Sequence, residues 1–166
     1  DIVERSACEQ GSVETLGAVV HNQQVLRRLA KIGVKVVNAL DEIQGDTVVI
    51  STHGVSPRLE EEIRARHIKI IDTTCPFVRR AQRAAQRLAE SGFFVIIYGD
   101  ASHPEVKGVL GWAKGRGVAT LRDNFIANLN PLPRRLGVLS QTTQIPARFT
   151  EFVKKLIDSA FTRDSE

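Results

Sequence analysis

Several turns of this 166-residue chain place a side chain that can do chemistry where a strand-like apolar run ends and a helix-like segment begins. The turns contain His21, His53, Cys75, His103 and, in a fifth polar turn, Thr142. In parallel α/β sheets, ligands bind at the carboxyl ends of the strands. The repetition predicts one shared cleft lined by a thiol, imidazoles and a hydroxyl, with the carboxyl of Glu105 close to His103.

Cys75 stands immediately before Pro76, and proline is favoured in the first turn of a helix. Unpaired N–H groups and the helix dipole at such an end stabilise a thiolate, which can act as a nucleophile or a metal ligand. A small buried residue that closes a strand fits the same spacing equally well. One thiolate cannot hold an iron–sulfur cluster, so further ligands would have to come from elsewhere. Cys8 lies on a leading helix and is interpreted as a packing residue.

The segment His103-Pro104-Glu105 repeats this helix-start pattern. An imidazole and a carboxyl two residues apart can act as a proton-relay pair. Alternatively, Glu105 simply complements the helix dipole from the first turn. The hydroxyl of Thr142 can donate or accept a hydrogen bond in the cleft, or it can cap a helix.

His21 and His53 each follow a strand end, beside the predicted start of a helix. There, backbone N–H groups and an imidazole together suit a phosphate or diphosphate. A single histidine is usually structural, but three at equivalent turns favour a binding site. Arg79, Arg83 and Arg87 form a stripe that is either a solvated helix face or a docking patch for an acidic partner.

The composition, with 42% apolar and 25% charged residues, is typical of a soluble globular protein. A net charge of +4 with only 5% aromatic residues gives little support for nucleic-acid binding. No apolar run approaches the ~20 residues that a membrane-spanning helix needs. Two distant cysteines do not make a disulfide framework, which favours a reducing cytoplasmic location.

The alternation of strands and helices predicts an α/β fold made of small parallel-sheet units with helices on both faces. Strands are predicted at Val13–Val19, Val34–Val37, Thr47–Ser51, Ile68–Asp72, Phe93–Tyr98, Val118–Leu121 and Leu136–Ser140. Helices are predicted at Asn22–Ile32, Ser56–His67, Pro76–Ser91 and Pro146–Ala160. We expect one unit over residues 1–76 and a second over 77–166, and one continuous sheet is the alternative.

The order and spacing of five segments resemble those of the 4-hydroxy-3-methylbut-2-enyl diphosphate reductase (LytB/IspH) family. The segments are VVHNQQVLRRL, STHGVSP, IDTTCPFVRRAQ, YGDASHPEVKGVLGWA and LSQTTQ. The resemblance covers essentially the whole chain. It implies an oxidoreductase of the methylerythritol phosphate pathway of isoprenoid biosynthesis. That enzyme reductively removes the allylic hydroxyl of its diphosphate substrate and yields isopentenyl and dimethylallyl diphosphates.

The resemblance also implies a role for each residue of the predicted cleft. It implies a [4Fe–4S] cluster held by three cysteines, with Cys75 as the middle ligand. It implies that Glu105 is the catalytic proton source. The implied substrate-binding residues are His21, His53, His103 and Thr142. The implied electron donor is a small ferredoxin or flavodoxin, with no role for nucleic acid or membrane.

Family members resemble a trefoil of three α/β units around the cluster. The chain supplies two of these, the first truncated at its N-terminus, and one of the three cluster cysteines. We therefore expect a fragment that is inactive by itself. A diphosphate-binding or protein-docking α/β module without a redox centre is the alternative interpretation.

Overall fold

The computed structural model describes residues 3–5, 7, 13–18, 22–122, 125, 129 and 133–164. The chain divides into two compact units, Asp1–Val78 and Arg79–Glu166. Both alternate strand and helix, so each is a small α/β unit, and each is described by itself. None of the described helices is long and apolar enough to cross a membrane.

Unit 1 contains a four-stranded parallel sheet in the order β2-β1-β3-β4. Its strands are β1 (Val13–Leu16), β2 (Val34–Val37), β3 (Thr47–Ile50) and β4 (Lys69–Asp72). Its connections contain helix α1 (Gln23–Lys31), a 3-10 turn (Leu40–Glu42) and helix α2 (Pro57–Ala65). Helix α3 (Pro76–Glu90) follows β4.

The strands of unit 1 are rich in valine and isoleucine because both faces of the sheet are covered. Successive side chains of a strand point to opposite faces and so enter two separate apolar clusters. Val49 of β3 packs in one cluster with Leu29 of α1. Val48 and Ile50 pack in the other with Ile63 of α2. Helices therefore lie on both faces of this sheet, as the alternation predicts.

Glu14 of β1 is a buried carboxylate that joins two parts of unit 1. Its Oε2 accepts hydrogen bonds from the N–H groups of Gln44 (2.8 Å) and Gly45 (2.9 Å), and its Oε1 lies 3.4 Å from Lys35 Nζ. Burial raises the pKa of Glu14, but these three partners together outweigh burial, so the pKa lies below its ordinary value. Glu14 thus ties β1 to the loop that precedes β3.

Unit 2 contains a three-stranded parallel sheet in the order β6-β5-β7. The strands are β5 (Phe94–Tyr98), β6 (Gly117–Thr120) and β7 (Leu136–Ser140). Helix α4 (Pro104–Trp112) follows β5, and helix α5 (Pro146–Asp164) follows β7. Because β7 lies directly beside β5, the turns that follow these two strands meet at one edge of the sheet.

Both faces of the unit 2 sheet are also covered. On one face, Tyr98 packs on Phe152 of α5 with ring centroids 4.6 Å apart. On the other face, Gly137 leaves room for Leu88 of α3, since an added Cβ would lie 2.7 Å from Leu88 Cδ1. A larger residue in the middle of β7 would require the end of the Leu88 side chain to move.

The predicted α/β fold class is confirmed by the two parallel sheets. Two predicted boundaries differ from the structure by three or more residues. Strand β1 ends at Leu16 rather than Val19, because Gly17 adopts a φ of 78° and turns the chain. Helix α5 continues to Asp164 rather than ending at Ala160, because the intervening residues include neither glycine nor proline.

Candidate active site

In unit 1, His53 and Cys75 lie in neighbouring turns at the carboxyl ends of β3 and β4. The N–H of Gly54 donates to the carbonyl of Ser51 (3.0 Å) and closes the turn that carries His53. The N–H of Cys75 donates to the carbonyl of Thr52 (2.9 Å). The backbone of Cys75 is therefore held against the residue that precedes His53.

Cys75 has a free thiol, is partly exposed, and directly precedes α3. The turn before it is fixed by Asp72, whose Oδ1 accepts from the N–H (2.9 Å) and the hydroxyl (2.5 Å) of Thr74. A free thiol at the start of a helix has the chemistry of a metal ligand, so Cys75 can donate one sulfur ligand to a metal centre. Among the described residues, no group of three or more His, Cys, Asp or Glu side chains is placed to hold a metal ion.

His21 and Cys8 lie outside the described residues. Asn22, which follows His21, is the N-cap of α1. Its Oδ1 accepts from the N–H groups of Gln24 (2.9 Å) and Val25 (3.3 Å). The role predicted for His21 stays a prediction.

In unit 2, His103 is the N-cap of α4. Its Nδ1 accepts a hydrogen bond from the N–H of Glu105 (3.2 Å). A nitrogen that accepts carries no proton, so the neutral ring has its proton on Nε2. His103 can therefore offer an Nε2–H donor to an oxygen atom of a substrate while it caps the helix.

The carboxyl of Glu105 is directed to a different element of unit 2. Its Oε1 accepts from the N–H of Thr142 (2.7 Å), and its Oε2 accepts from the Thr142 hydroxyl (2.8 Å). Glu105 is only 3% exposed, whereas Thr142 is exposed. A carboxylate that only complements the helix dipole would face solvent, whereas Glu105 is buried. A threonine that caps a helix would directly adjoin it, whereas α5 begins four residues after Thr142, at Pro146. The structure instead joins a buried acid to the hydroxyl of an exposed threonine.

Hydrogen bonds between Asp100 and Ser102 stabilise the turn between β5 and α4. Asp100 Oδ1 accepts from the N–H (2.8 Å) and the hydroxyl (2.7 Å) of Ser102. The hydroxyl and N–H of Ser102, in that order, lower the pKa of Asp100 below its ordinary value. The ionised Asp100 thus fixes the backbone that leads into His103.

The sequence interpretation assigned no role to Asp100, Ser102 or Gln141. The spacing Asp-x-Ser could have revealed an Asp100 side-chain turn, because aspartate commonly bonds the N–H two residues on. Gln141 adjoins Thr142 and is only 6% exposed, but a sequence offers no direct sign of such burial.

The chain is similar to known proteins in both sequence and fold. Residues 1–163 match a family model described as LytB protein. The chain is also 57% identical over its full 166 residues to a 4-hydroxy-3-methylbut-2-enyl diphosphate reductase of Dehalococcoides mccartyi. The chain belongs to the LytB family. It spans 58% of the length of that LytB relative.

Two solved structures show the same fold. The E-1-hydroxy-2-methyl-but-2-enyl-4-diphosphate reductase of Plasmodium falciparum aligns with a TM-score of 0.86 and 25% identity, over 95% of this chain and 51% of that one. A second structure, described as (E)-4-hydroxy-3-methyl-but-2-enyl diphosphate reductase, aligns with a TM-score of 0.79 and 36% identity, over 94% of this chain and 57% of that one. The family resemblance seen in the sequence is confirmed.

Proposed function

We propose that the full-length protein containing this LytB chain is a 4-hydroxy-3-methylbut-2-enyl diphosphate reductase of isoprenoid biosynthesis. The reaction consumes two electrons and two protons: the allylic C–O bond breaks, the hydroxyl leaves as water, and a new C–H bond forms. Within the family, the observation that carries the proposal is the buried Glu105 joined to the hydroxyl of the exposed residue Thr142.

This pair supports proton delivery to a poor leaving group. While Glu105 is ionised, the Thr142 hydroxyl donates to it at 2.8 Å. Once Glu105 takes up a proton on Oε2, it can donate to Thr142 Oγ1, and the hydroxyl hydrogen becomes free to turn outward. The proposed role of Glu105 is general acid, and that of Thr142 is to hold and relay its proton toward the substrate hydroxyl.

The imidazoles are proposed to bind the anionic substrate. His103 would donate from Nε2 while its Nδ1 remains the helix cap. His53 lies at the end of β3, just before the Ser56-capped start of α2, where helix N–H groups also favour an anion. His21 is proposed for the same task from its place beside α1.

Cys75 is proposed as one thiolate ligand of a [4Fe–4S] cluster. A free, partly exposed thiol at a helix start fits that donor role, while the cluster needs further thiolates that the described residues do not supply. The remaining ligands would come from parts of the protein outside this chain. When bound, the cluster would supply electrons for the reduction, and a reducing compartment would protect Cys75 from oxidation.

The electron donor is proposed to be a small acidic redox protein such as a ferredoxin or flavodoxin. Unit 2 has 14 basic and 8 acidic residues, whereas unit 1 has 9 and 11. Exposed arginines at positions 80, 83 and 87 form a basic face on α3. Such a surface would speed association with an acidic partner at low salt. Reversing Arg83 and Arg87 to glutamate should lower the donor-driven rate and its salt dependence, but leave a rate driven by a small chemical reductant unchanged.

The catalytic proposal is tested with the anaerobically reconstituted full-length protein and a chemical reductant. Glu105→Gln keeps both hydrogen bonds, because the amide oxygen can accept from the Thr142 N–H and the amide nitrogen can donate to Oγ1. It cannot supply a proton. We expect kcat to fall at least about a hundredfold. Cys75→Ser should lower both iron content and activity.

Glu62→Gln is the matched control, because Glu62 forms only a surface ion pair with Arg58 (2.8 Å). It should retain the wild-type rate. Substrate binding without reduction by the reconstituted wild-type protein would refute the reductase and favour a diphosphate-binding module. A wild-type rate in Glu105→Gln would refute the role of Glu105 alone.

A further inference from the structure

Gln141 joins the same two turns as the Glu105–Thr142 pair, but through different atoms. Its N–H donates to the carbonyl of Tyr98 (3.0 Å), which extends the β5–β7 pairing by one residue. Its side-chain Oε1 accepts from the N–H of Asp100 (3.1 Å). The turn that leads to Glu105 is thus bonded directly to the residue that precedes Thr142.

The side chain of Gln141 is also held by its packing. An added Cβ on Gly99 would lie 2.9 Å from Gln141 Cβ and 3.0 Å from Gln141 Oε1, and 2.9 Å from Val106 Cγ2. Gln141 therefore rests on the bare backbone of Gly99. Gln144 Nε2 donates to the same Oε1 at 3.3 Å, which further fixes the orientation of the amide. Buried and bonded at both ends, this side chain has little freedom to move.

The Glu105–Thr142 and Asp100–Gln141 hydrogen bonds, which both join these turns, are affected differently by the reaction. When Glu105 transfers a proton, its hydrogen bonds to Thr142 must change. The bond from Asp100 to Gln141 involves no reacting group and can persist throughout. It can therefore keep the turns in register while the acid changes its protonation state.

We propose that Gln141 is a positioning residue that holds the Glu105–Thr142 pair in its reactive geometry. This inference rests on the proposed reductase function. It assigns to Gln141 no contact with the substrate. Since small displacements of a catalytic group can lower rates about a hundredfold, loss of the Gln141 acceptor should affect kcat rather than substrate binding.

The test uses three variants of the full-length reconstituted protein with a chemical reductant. Gln141→Met keeps the size of the side chain and removes the acceptor. Gln141→Glu keeps an acceptor oxygen for Asp100. Gln86→Met is the matched control, because it removes a hydrogen bond of an α3 glutamine to Glu90 (3.0 Å), on another element.

We expect Gln141→Met to lower kcat about tenfold to a hundredfold, with KM changed less than about threefold. Gln141→Glu should recover most of that loss, and Gln86→Met should match the wild type. An unchanged kcat in Gln141→Met, or an equal loss in Gln141→Glu, would overturn the proposal. If Gln141→Met does not fold, Gly99→Ala, whose Cβ would crowd both Cβ and Oε1 of Gln141, should give the same loss of kcat at nearly unchanged KM.

Amide hydrogen exchange separates this inference from the proposed function. In the substrate-free protein, Gln141→Met should speed exchange of the Asp100 N–H about tenfold or more, and Gln141→Glu should restore its protection. If the wild-type protein does not reduce the substrate, the reductase proposal fails even where this exchange behaves as expected. Unchanged Asp100 exchange in Gln141→Met overturns the positioning role whether or not the protein is active.

Discussion

Replacing Thr142 by valine removes a single hydrogen bond from a buried carboxylate and almost nothing else. Valine matches the shape of threonine, and the backbone N–H still donates to Glu105 Oε1 at 2.7 Å. Glu105 Oε2 loses the hydroxyl that lies 2.8 Å away. Because Glu105 is only 3% exposed, water cannot readily replace that donor.

A hydrogen bond to a charged group contributes about 1.5–3 kcal/mol, and a buried acceptor left unsatisfied costs a similar amount. We therefore expect Thr142→Val to lower the free energy of unfolding of unit 2 by about 1.5–3 kcal/mol. For a protein of this size, that corresponds to a fall in Tm of about 3–12 °C. Thr142→Ser keeps the hydroxyl and should remain within about 0.5 kcal/mol of the wild type.

Fluorescence of Trp112 provides the assay, because it is the single tryptophan and lies in α4, the helix that also carries Glu105. Urea unfolding followed at this residue reports on unit 2. The double variant Glu105→Met, Thr142→Val should lose less stability than the two single variants added together, because both polar partners are then gone. A loss below about 0.5 kcal/mol in Thr142→Val, or strict additivity, would show that this bond does not stabilise the fold.

Three further predictions concern the sheets and helices that carry the site. Glu14→Gln should be about 1–2 kcal/mol less stable than the wild type at pH 7. Since the pKa of Glu14 is lowered from 4.5, the carboxylate stabilises the fold above about pH 4.5. This stabilisation is lost as the pH falls through the lowered folded-state pKa. The stabilities of the two proteins, measured by urea unfolding, should therefore converge in acid. Gly117→Ala would place a Cβ 2.6 Å from the Val95 carbonyl oxygen and should cost about 1–3 kcal/mol by urea unfolding; an unchanged midpoint would contradict this packing. Ser56→Ala removes the acceptor of the Leu59 N–H (3.3 Å) and should cost about 1 kcal/mol, measured by thermal unfolding, with Ser56→Asn close to the wild type.

Much of the fold follows from local sequence patterns. Short runs of valine and isoleucine, interrupted by amphipathic stretches, are sufficient to predict parallel strands joined by helices. Helix starts were predictable to within a residue at Pro57 and Pro76, because proline fixes a φ suited to the first turn. The end of β1 was less predictable, because Gly17 turns a chain whose apolar character continues.

The candidate site was predictable only as a set of side chains. The sequence indicates that His53, Cys75, His103 and Thr142 occupy turns at strand ends, and the structure places them so. The sequence does not reveal that Glu105 forms hydrogen bonds with Thr142. The two-residue spacing suggests that the carboxyl of Glu105 pairs with the imidazole of His103. In the structure, the His103 ring instead accepts a hydrogen bond from the backbone N–H of Glu105.

The kind of element at each position, and the chemistry available where elements meet, follow from local sequence, because both depend on residues within a few positions of one another. Which turns face each other depends instead on contacts between distant parts of the chain. Glu105 and Thr142 are 37 positions apart, and Asp100 and Gln141 are 41. They meet because β7 pairs with β5, and pairing between distant strands is set by burial of the whole sheet rather than by any local pattern.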